Sequence, residues 1–218
     1  MSQSDFDNPP GKRNTRNRIL VASLLLFNEQ GEPNTTTNQI ANEIDISPGN
    51  LHYHFNTKAD LVEALLQEFH ADTREILIPP DEGPITIEDF WLFLQLLVER
   101  MATYRFLFRD IDTIITKFRS LQTGLQSFIS TLSQTFASYV DQLQQYGILR
   151  TTNSDRDELC KSLVVITLFS ERYDILSGRS NTAEDASMRA VRSALHLLLP
   201  YLEKEDAKLT MSLADRYR

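Results

Sequence analysis

The chain has 218 residues and a formal net charge of −8, with 41% hydrophobic and 24% charged residues. This is the balance of an ordinary globular protein, either one large domain or a small domain plus a medium one. Seven glycines and eight prolines exclude a collagen-like or low-complexity chain, and the single cysteine, Cys160, excludes an internal disulfide framework or a cysteine zinc cluster.

The first residues, MSQSDFDNPPGKRNTRN, are polar and carry no secretion signal. Apolar runs such as Leu24 to Phe27 are far short of the roughly 20 residues that span a bilayer. A cytoplasmic protein without membrane contact is therefore expected, and one reduced thiol fits that compartment. Residues 1–14 read as a flexible basic arm. Helical periodicity starts at Thr15, with Ile19, Ala22 and Leu26 on one stripe and Leu20, Leu24 and Phe27 on the next. Gly31 is placed as a left-handed cap, followed by a turn at Glu32-Pro33-Asn34.

A short helix should open at Thr35 or Thr36, whose hydroxyls can cap it, and bury Ile40, Ala41 and Ile44. Asp45 ends it. Ser47 as N-cap and Pro48 at the first helical position open a second short helix that ends near Phe55. Thr57, with Asp60 three residues on, caps a third, which carries Leu61, Leu65 and Phe69 and stops before Pro79. Beyond Pro84 the pattern predicts helices at about 86–104, 106–118, 120–146, 154–177 and 183–203, with no alternating strand pattern. The fold class is all-α. The expected division is a helix-turn-helix domain at 15–66, a helical domain at 67–203, and a charged tail at 204–218 that frays or extends the last helix.

The segment TTTNQIANEIDISPGNLHYHFNTKADL carries the functional signal. Short helix, tight turn and second short helix make a helix-turn-helix. Packing of Ile40, Ile44, Ile46, Leu51 and Phe55 leaves Gly49, Asn50, His52 and Tyr53 free to enter a major groove, about 12 Å wide. That face carries no acid, although residues 1–70 hold five basic and nine acidic residues. Such a motif also occurs as plain scaffold, so an all-α lipid-binding or scaffold protein without DNA binding, or a helical enzyme, stands as the alternative. His52 and His54 diverge by about 200° around a helix and do not form a metal pair. No Gly-rich phosphate loop, H-E-x-x-H or G-x-S-x-G motif is present, so neither catalysis nor a cofactor is expected.

This region resembles the DNA-binding domain of TetR-type transcriptional regulators. The likeness runs through Arg18-Ile19-Leu20, Ala22, Phe27, Gly31, Thr35 to Thr37, Ile40-Ala41, Ile46-Ser47, Gly49, Leu51, His54-Phe55, Lys58 and Leu61. Two positions depart from the family pattern: Asp45 stands where glycine is usual in the turn, and His52 where tyrosine is usual. The resemblance implies that Asn50 and His52 face base edges, and that Pro48 and Gly49 let the backbone approach. It also implies that Thr37, Tyr53, His54 and Lys58 meet phosphates of a palindromic double-stranded operator, with Arg16 among the DNA-binding residues. Lys12, Arg13, Arg16 and Arg18 make an acid-free basic segment that could follow a phosphate backbone or enter a minor groove.

The later helices, by the same resemblance, hold an effector cavity and a dimer surface. Phe90, Trp91, Phe93, Tyr104, Phe106 and Phe108 crowd into 19 residues with Arg100, Arg105 and Arg109 among them. Aromatic walls with a few basic groups suit an apolar effector with an acidic head, such as an acyl compound, although aromatics at helical spacing are also the pattern of a plain core. The expected lining is Trp91, Tyr104, Phe108, Phe128, Phe169 and Tyr173, with Arg105 or Arg109 at the polar end. The runs Phe90-Trp91-Leu92-Phe93, Tyr104-Arg105-Phe106-Leu107-Phe108 and Asn28-Glu29-Gln30-Gly31-Glu32-Pro33 further resemble TetR-type regulators of polyhydroxyalkanoate metabolism, which implies a fatty-acid-derived effector. Stripes at Leu159, Leu163, Ile166, Ser170, Tyr173 and at Ala186, Ala190, Ala194, Leu197, Tyr201 are read as a homodimer seam.

Overall fold

The computed structural model describes residues 10–80, 83–179 and 182–217. Residues 1–9 of the expected arm, and the side chains of Lys12 and Arg13, lie outside the described residues. The order is α1 (Pro10–Gln30), α2 (Thr37–Glu43), α3 (Pro48–His54), α4 (Lys58–Thr73), α5 (Ile87–Thr103), α6 (Arg105–Arg109), α7 (Ile111–Lys117), α8 (Arg119–Gln145), α9 (Asn153–Leu176), α10 (Ala183–Leu198) and α11 (Lys204–Ala214). Among the described residues the only β pairing is a single bridge, Leu149 to Leu202, so the chain is all-α. No described helix is long and apolar enough to cross a membrane.

One sequence device opens several of these helices. Thr36, Thr86, Thr152 and Thr182 are N-caps, each accepting from the backbone N–H three residues on. Where that residue is Gln39 or Asp89, its side chain returns a bond to the cap's own N–H, at 2.7 and 2.8 Å. Thr57 and Asp60 make the same reciprocal pair at 2.9 and 3.2 Å. Each pair satisfies two orphan donors at a helix start.

The chain forms two units, residues 1–68 with 110–122, and residues 69–109 with 123–218. In the first, Ile19, Leu20, Phe27, Ile40, Ala41, Leu51, Leu61, Val62 and Leu65 are buried to 2% exposure or less. Burial of this apolar surface, at about 25 cal/mol per Å², holds α1 to α4 together. In the second, the core is built from Phe90, Leu94 and Leu97 of α5, Phe136 and Val140 of α8, Leu163 of α9 and Leu195 of α10.

Four features differ from the sequence expectations. The first helix starts at Pro10, five residues before Thr15, with proline at a helix start where it loses no hydrogen bond. The stretch expected at 106–118 is two helices broken at Asp110, whose carboxylate is engaged by the Glu32 backbone N–H at 2.9 Å instead of capping α7. The tail does not extend the preceding helix. Leu199–Tyr201 forms a 3-10 turn around Pro200, and α11 follows as a helix of its own, burying Thr210, Leu213 and Ala214. The alanine stripe lies inside the second unit: Ala186, Ala190 and Ala194 are 6%, 5% and 1% exposed without any partner chain. The outward apolar residues of α9 include Val165, Phe169 and Tyr173 along one stripe and Ile175 and Leu176 at its end.

Candidate DNA-reading surface

The turn between α2 and α3 depends on Asp45, the one described non-glycine residue with positive φ, at 54°. Asp45 donates its N–H to the Asn42 carbonyl (3.3 Å) and Ile46 donates to the Ala41 carbonyl (3.0 Å). This is the paired pattern of a Schellman cap. Aspartate tolerates the left-handed conformation better than most residues, so the turn forms without glycine. Ser47 accepts from Asn50 N–H at 3.2 Å and Pro48 occupies the first helical position. Leu51 and Phe55 are buried and pin α3 from below.

With that face fixed, Pro48, Gly49, Asn50, His52 and Tyr53 all point to solvent, and His54 is half-buried. Residues 46–57 contain no Asp, Glu, Lys or Arg. His52 Nδ1 lies 3.2 Å from the Asn56 carbonyl oxygen. That oxygen can only accept, so Nδ1 is the donor in this contact, and the tautomer protonated there leaves Nε2 as an acceptor. Tyr53 is 64% exposed and stands edge-on to His54, ring centres 5.3 Å apart.

The flanking cations are held in different ways. Arg16 stacks its guanidinium over the Phe55 ring at 4.9 Å, which ties α1 to the end of α3. Arg18 donates to the Ile44 carbonyl at 2.7 Å, the negative end of α2. Thr37 is half-buried in the first turn of α2. Lys58 departs most from its expected role. Its ammonium donates to the carbonyls of Glu32 (2.7 Å) and Thr35 (2.8 Å) and pairs with Glu32 Oε1 at 2.9 Å. Three N–H donors meet three internal acceptors. To reach a phosphate the side chain would have to leave all of them.

Glu32 itself escaped the sequence reading. It is fully buried, and its carboxylate also binds Lys117 at 3.0 Å. The signal available was an acid in a Gly-Glu-Pro-Asn turn, but its second partner is 85 residues away.

Two family models cover nearly all of the chain: "Bacterial regulatory proteins, tetR family" over residues 19–65, and TetR, "Bacterial transcriptional repressor", over residues 68–209. The chain belongs to the TetR family. It is a TetR-type DNA-binding transcriptional regulator, with the helix-turn-helix at the start and a helical domain behind it. It is similar to a TetR-family transcriptional regulator of Marinobacter aquaeolei VT8, whose crystal structure matches with a TM-score of 0.81 and 29% identity over 94% of this chain and 98% of that one. The HTH-type transcriptional regulator YvkB of Bacillus subtilis is 26% identical over 144 residues, 65% of this chain and 74% of that protein. CprB of Streptomyces coelicolor, solved in complex with its operator sequence, shares the fold at 19% identity, TM-score 0.68, over 94% of this chain and 96% of that one.

The eight residues expected to line an effector cavity fall in separate places within the second unit. Tyr104, Phe108 and Phe128 come together around Phe69, with edge-to-face ring distances of 5.5, 5.4 and 4.9 Å. Tyr104 also donates its hydroxyl to Asp72 at 2.9 Å. Arg105 pairs with Glu171 at the edge of a small cavity of about 40 Å³, lined by Phe108, Met101, Thr167 and Ala190 among others. The Arg109 carbonyl accepts from Arg172 at 3.1 Å. Trp91 belongs to the tail: its Nε1 donates to the Tyr217 hydroxyl at 2.5 Å, and Arg216 lies 5.4 Å over its ring. Phe169 and Tyr173 face solvent, at 39% and 63% exposure.

Proposed function

We propose that this regulator reads a two-fold operator as a homodimer, with α3 of each protomer in a major groove. The acid-free face of α3 in a chain of net charge −8 carries this reading. Asn50 and His52 face base edges, and Pro48 and Gly49 allow close approach. Arg16, Thr37, Tyr53 and His54 take phosphates, while Lys58 holds the start of α4. Asparagine pairs bidentately with adenine. An outward acceptor at His52 Nε2 favours a base offering an amino group in the groove, cytosine N4 or adenine N6. One such helix contacts too few base pairs for a genomic address. Pairing two of them on half-sites one helical turn, or a multiple, apart supplies the rest. The outward stripe Val165, Phe169, Tyr173 on α9 supports a dimer face there.

The effector in this reading is a small, largely apolar, fatty-acid-derived molecule with an acidic head, as for regulators of polyhydroxyalkanoate metabolism. The support is the cavity at Phe108 and Met101 with Arg105 at its rim. A cavity of about 40 Å³ holds no acyl chain as it stands, since ligand sites run to roughly 300–1,000 Å³. Binding must therefore part α5 from α9 and α10 and exchange Glu171 for the ligand's acid at Arg105. A ligand that opens one conformation selectively shifts the equilibrium toward it, and α4, from Lys58 to Thr73, is the proposed lever. The test uses a duplex selected from a random pool by the unaltered protein, with long-chain acyl compounds added. Stabilisation against heat together with altered duplex affinity supports the effector, because linkage is reciprocal. Stabilisation with affinity unchanged refutes it as an effector, and failure to select any duplex refutes the operator reading.

A further inference from the structure

In the first unit, α7 is attached at both of its ends to one residue of the turn that precedes the helix-turn-helix. Asp110, which precedes α7, accepts the Glu32 backbone N–H at 2.9 Å. Lys117, the last residue of α7, binds the Glu32 carboxylate at 3.0 Å. The same carboxylate oxygen binds Lys58 at 2.9 Å at the first residue of α4, and Lys58 also ties down the carbonyls of Glu32 and Thr35. Thr35 in turn donates its buried hydroxyl to the Gly31 carbonyl at 2.9 Å. Thr36, next in the chain, caps α2.

The charges make this arrangement stiff. Glu32 has a fully buried side chain facing two ammonium groups, one 19% and one 45% exposed. A carboxylate in low dielectric is costly unless paired, so releasing either lysine is opposed by the desolvation of the acid. Its second oxygen, Oε2, has no hydrogen-bond partner among the described residues. Both cations therefore share Oε1, and movement of one lysine is felt by the other.

We propose that Glu32 is a positioning residue for DNA binding, a rigid joint through which α7 fixes where α2 and α4 stand. It touches no DNA in this role. In chain order α7 lies between two segments of the second unit, residues 69–109 and 123–218, so a displacement of α7 reaches the reading helices through Glu32. Lys117 is then the release point, because it is the more exposed of the two cations and its departure leaves Lys58 and Glu32 paired.

The test is Lys117→Met, which keeps the aliphatic stem and removes the charge, with Lys117→Arg as the conservative variant. Dissociation constants for the selected duplex are measured by fluorescence anisotropy over a range of salt, at temperatures where melting curves show each variant folded. Lys117→Met should weaken binding roughly three- to thirty-fold, the range for residues that couple without contacting the ligand. The slope of log K against log salt should not change, since no phosphate contact is lost. Lys117→Arg should restore affinity. Asp110→Ala, which frees the other end of α7, should weaken binding in the same range. Unaltered affinity in either folded variant overturns the proposal. So does a loss accompanied by a slope reduced by about 0.9, which would put Lys117 on the DNA itself.

Discussion

Lys58→Met separates the two roles open to the lysine at the start of α4. The substitution removes one of two cations from a fully buried carboxylate and strips the carbonyls of Glu32 and Thr35 of a shared donor. Breaking a buried ion pair by deleting one partner costs about 3–5 kcal/mol. Lys117 still neutralises Glu32, so the lower end applies, about 3 kcal/mol. For a chain of this length each kcal/mol moves the melting temperature by roughly 2–4 °C, giving a drop of roughly 6–12 °C. Circular dichroism melts measure it. Duplex affinity is then followed against salt on the folded variant. A residue that braces the turn leaves the slope of log K against log salt intact, whereas a phosphate ligand removes about 0.9 from it. An unshifted melt with a shallower slope would refute the bracing role and return Lys58 to the phosphates.

His52→Ala should change preference at one base-pair position by about 1–3 kcal/mol, with cytosine or adenine losing its advantage, while Tyr53→Ala should weaken all duplexes alike because phosphates carry no base code; competition assays on single-position variants compare the two. Phe169→Glu, on the outward stripe of α9, should give a monomer in sedimentation with a near-native melt, whereas Ala194→Glu should unfold the chain, because Ala194 is buried in its own unit. His70 is partly buried and desolvation holds its imidazole below the usual 6.5. The unfolded chain binds that proton first, so stability is kept above about pH 6.5 and falls as pH drops through it; His70→Gln should flatten that part of a melting-temperature profile.

What was legible in the sequence was local. The Thr-x-x-Asp and Thr-x-x-Gln spacings mark helix starts because both partners sit within one turn, and Asp45 could be placed in a turn because its own backbone preference allows it. What was not legible depended on distant partners. Trp91 reads as a cavity aromatic until Tyr217, 126 residues on, is seen against it. Helix α10 is apolar on two sides, Ala186, Ala190 and Ala194 on one and Val191, Leu195 and Leu198 on the other, and the pattern does not say which side meets its own domain. The alanines turned inward, and an outward apolar stripe stands on α9 at Val165, Phe169 and Tyr173. Phe69, Tyr104, Phe108 and Phe128 satisfy both a cavity and a core pattern, because edge-to-face packing needs the same residues at the same spacing.

The acidic balance of the DNA-reading unit is resolved by where each acid sits. Glu32 is buried and neutralised, and one of its two cations, Lys117, comes from α7, outside the segment whose charge looked unfavourable. Asp60 is turned onto the Thr57 backbone N–H at 2.9 Å, where it serves the start of α4. Glu29, Glu43, Asp45, Glu63 and Glu68 are exposed, but they lie on or next to α1, α2 and α4, never on α3. At physiological ionic strength a charge is largely screened beyond about 8 Å. A phosphate beside α3 therefore meets first the uncharged stretch 46–57 and the Arg16 guanidinium stacked on Phe55, and charges farther off than that length act on it only weakly. Placement also explains why the helix can afford no acid of its own: within a contact distance of about 4 Å the repulsion is near 1 kcal/mol even in water, and more as the groove excludes it.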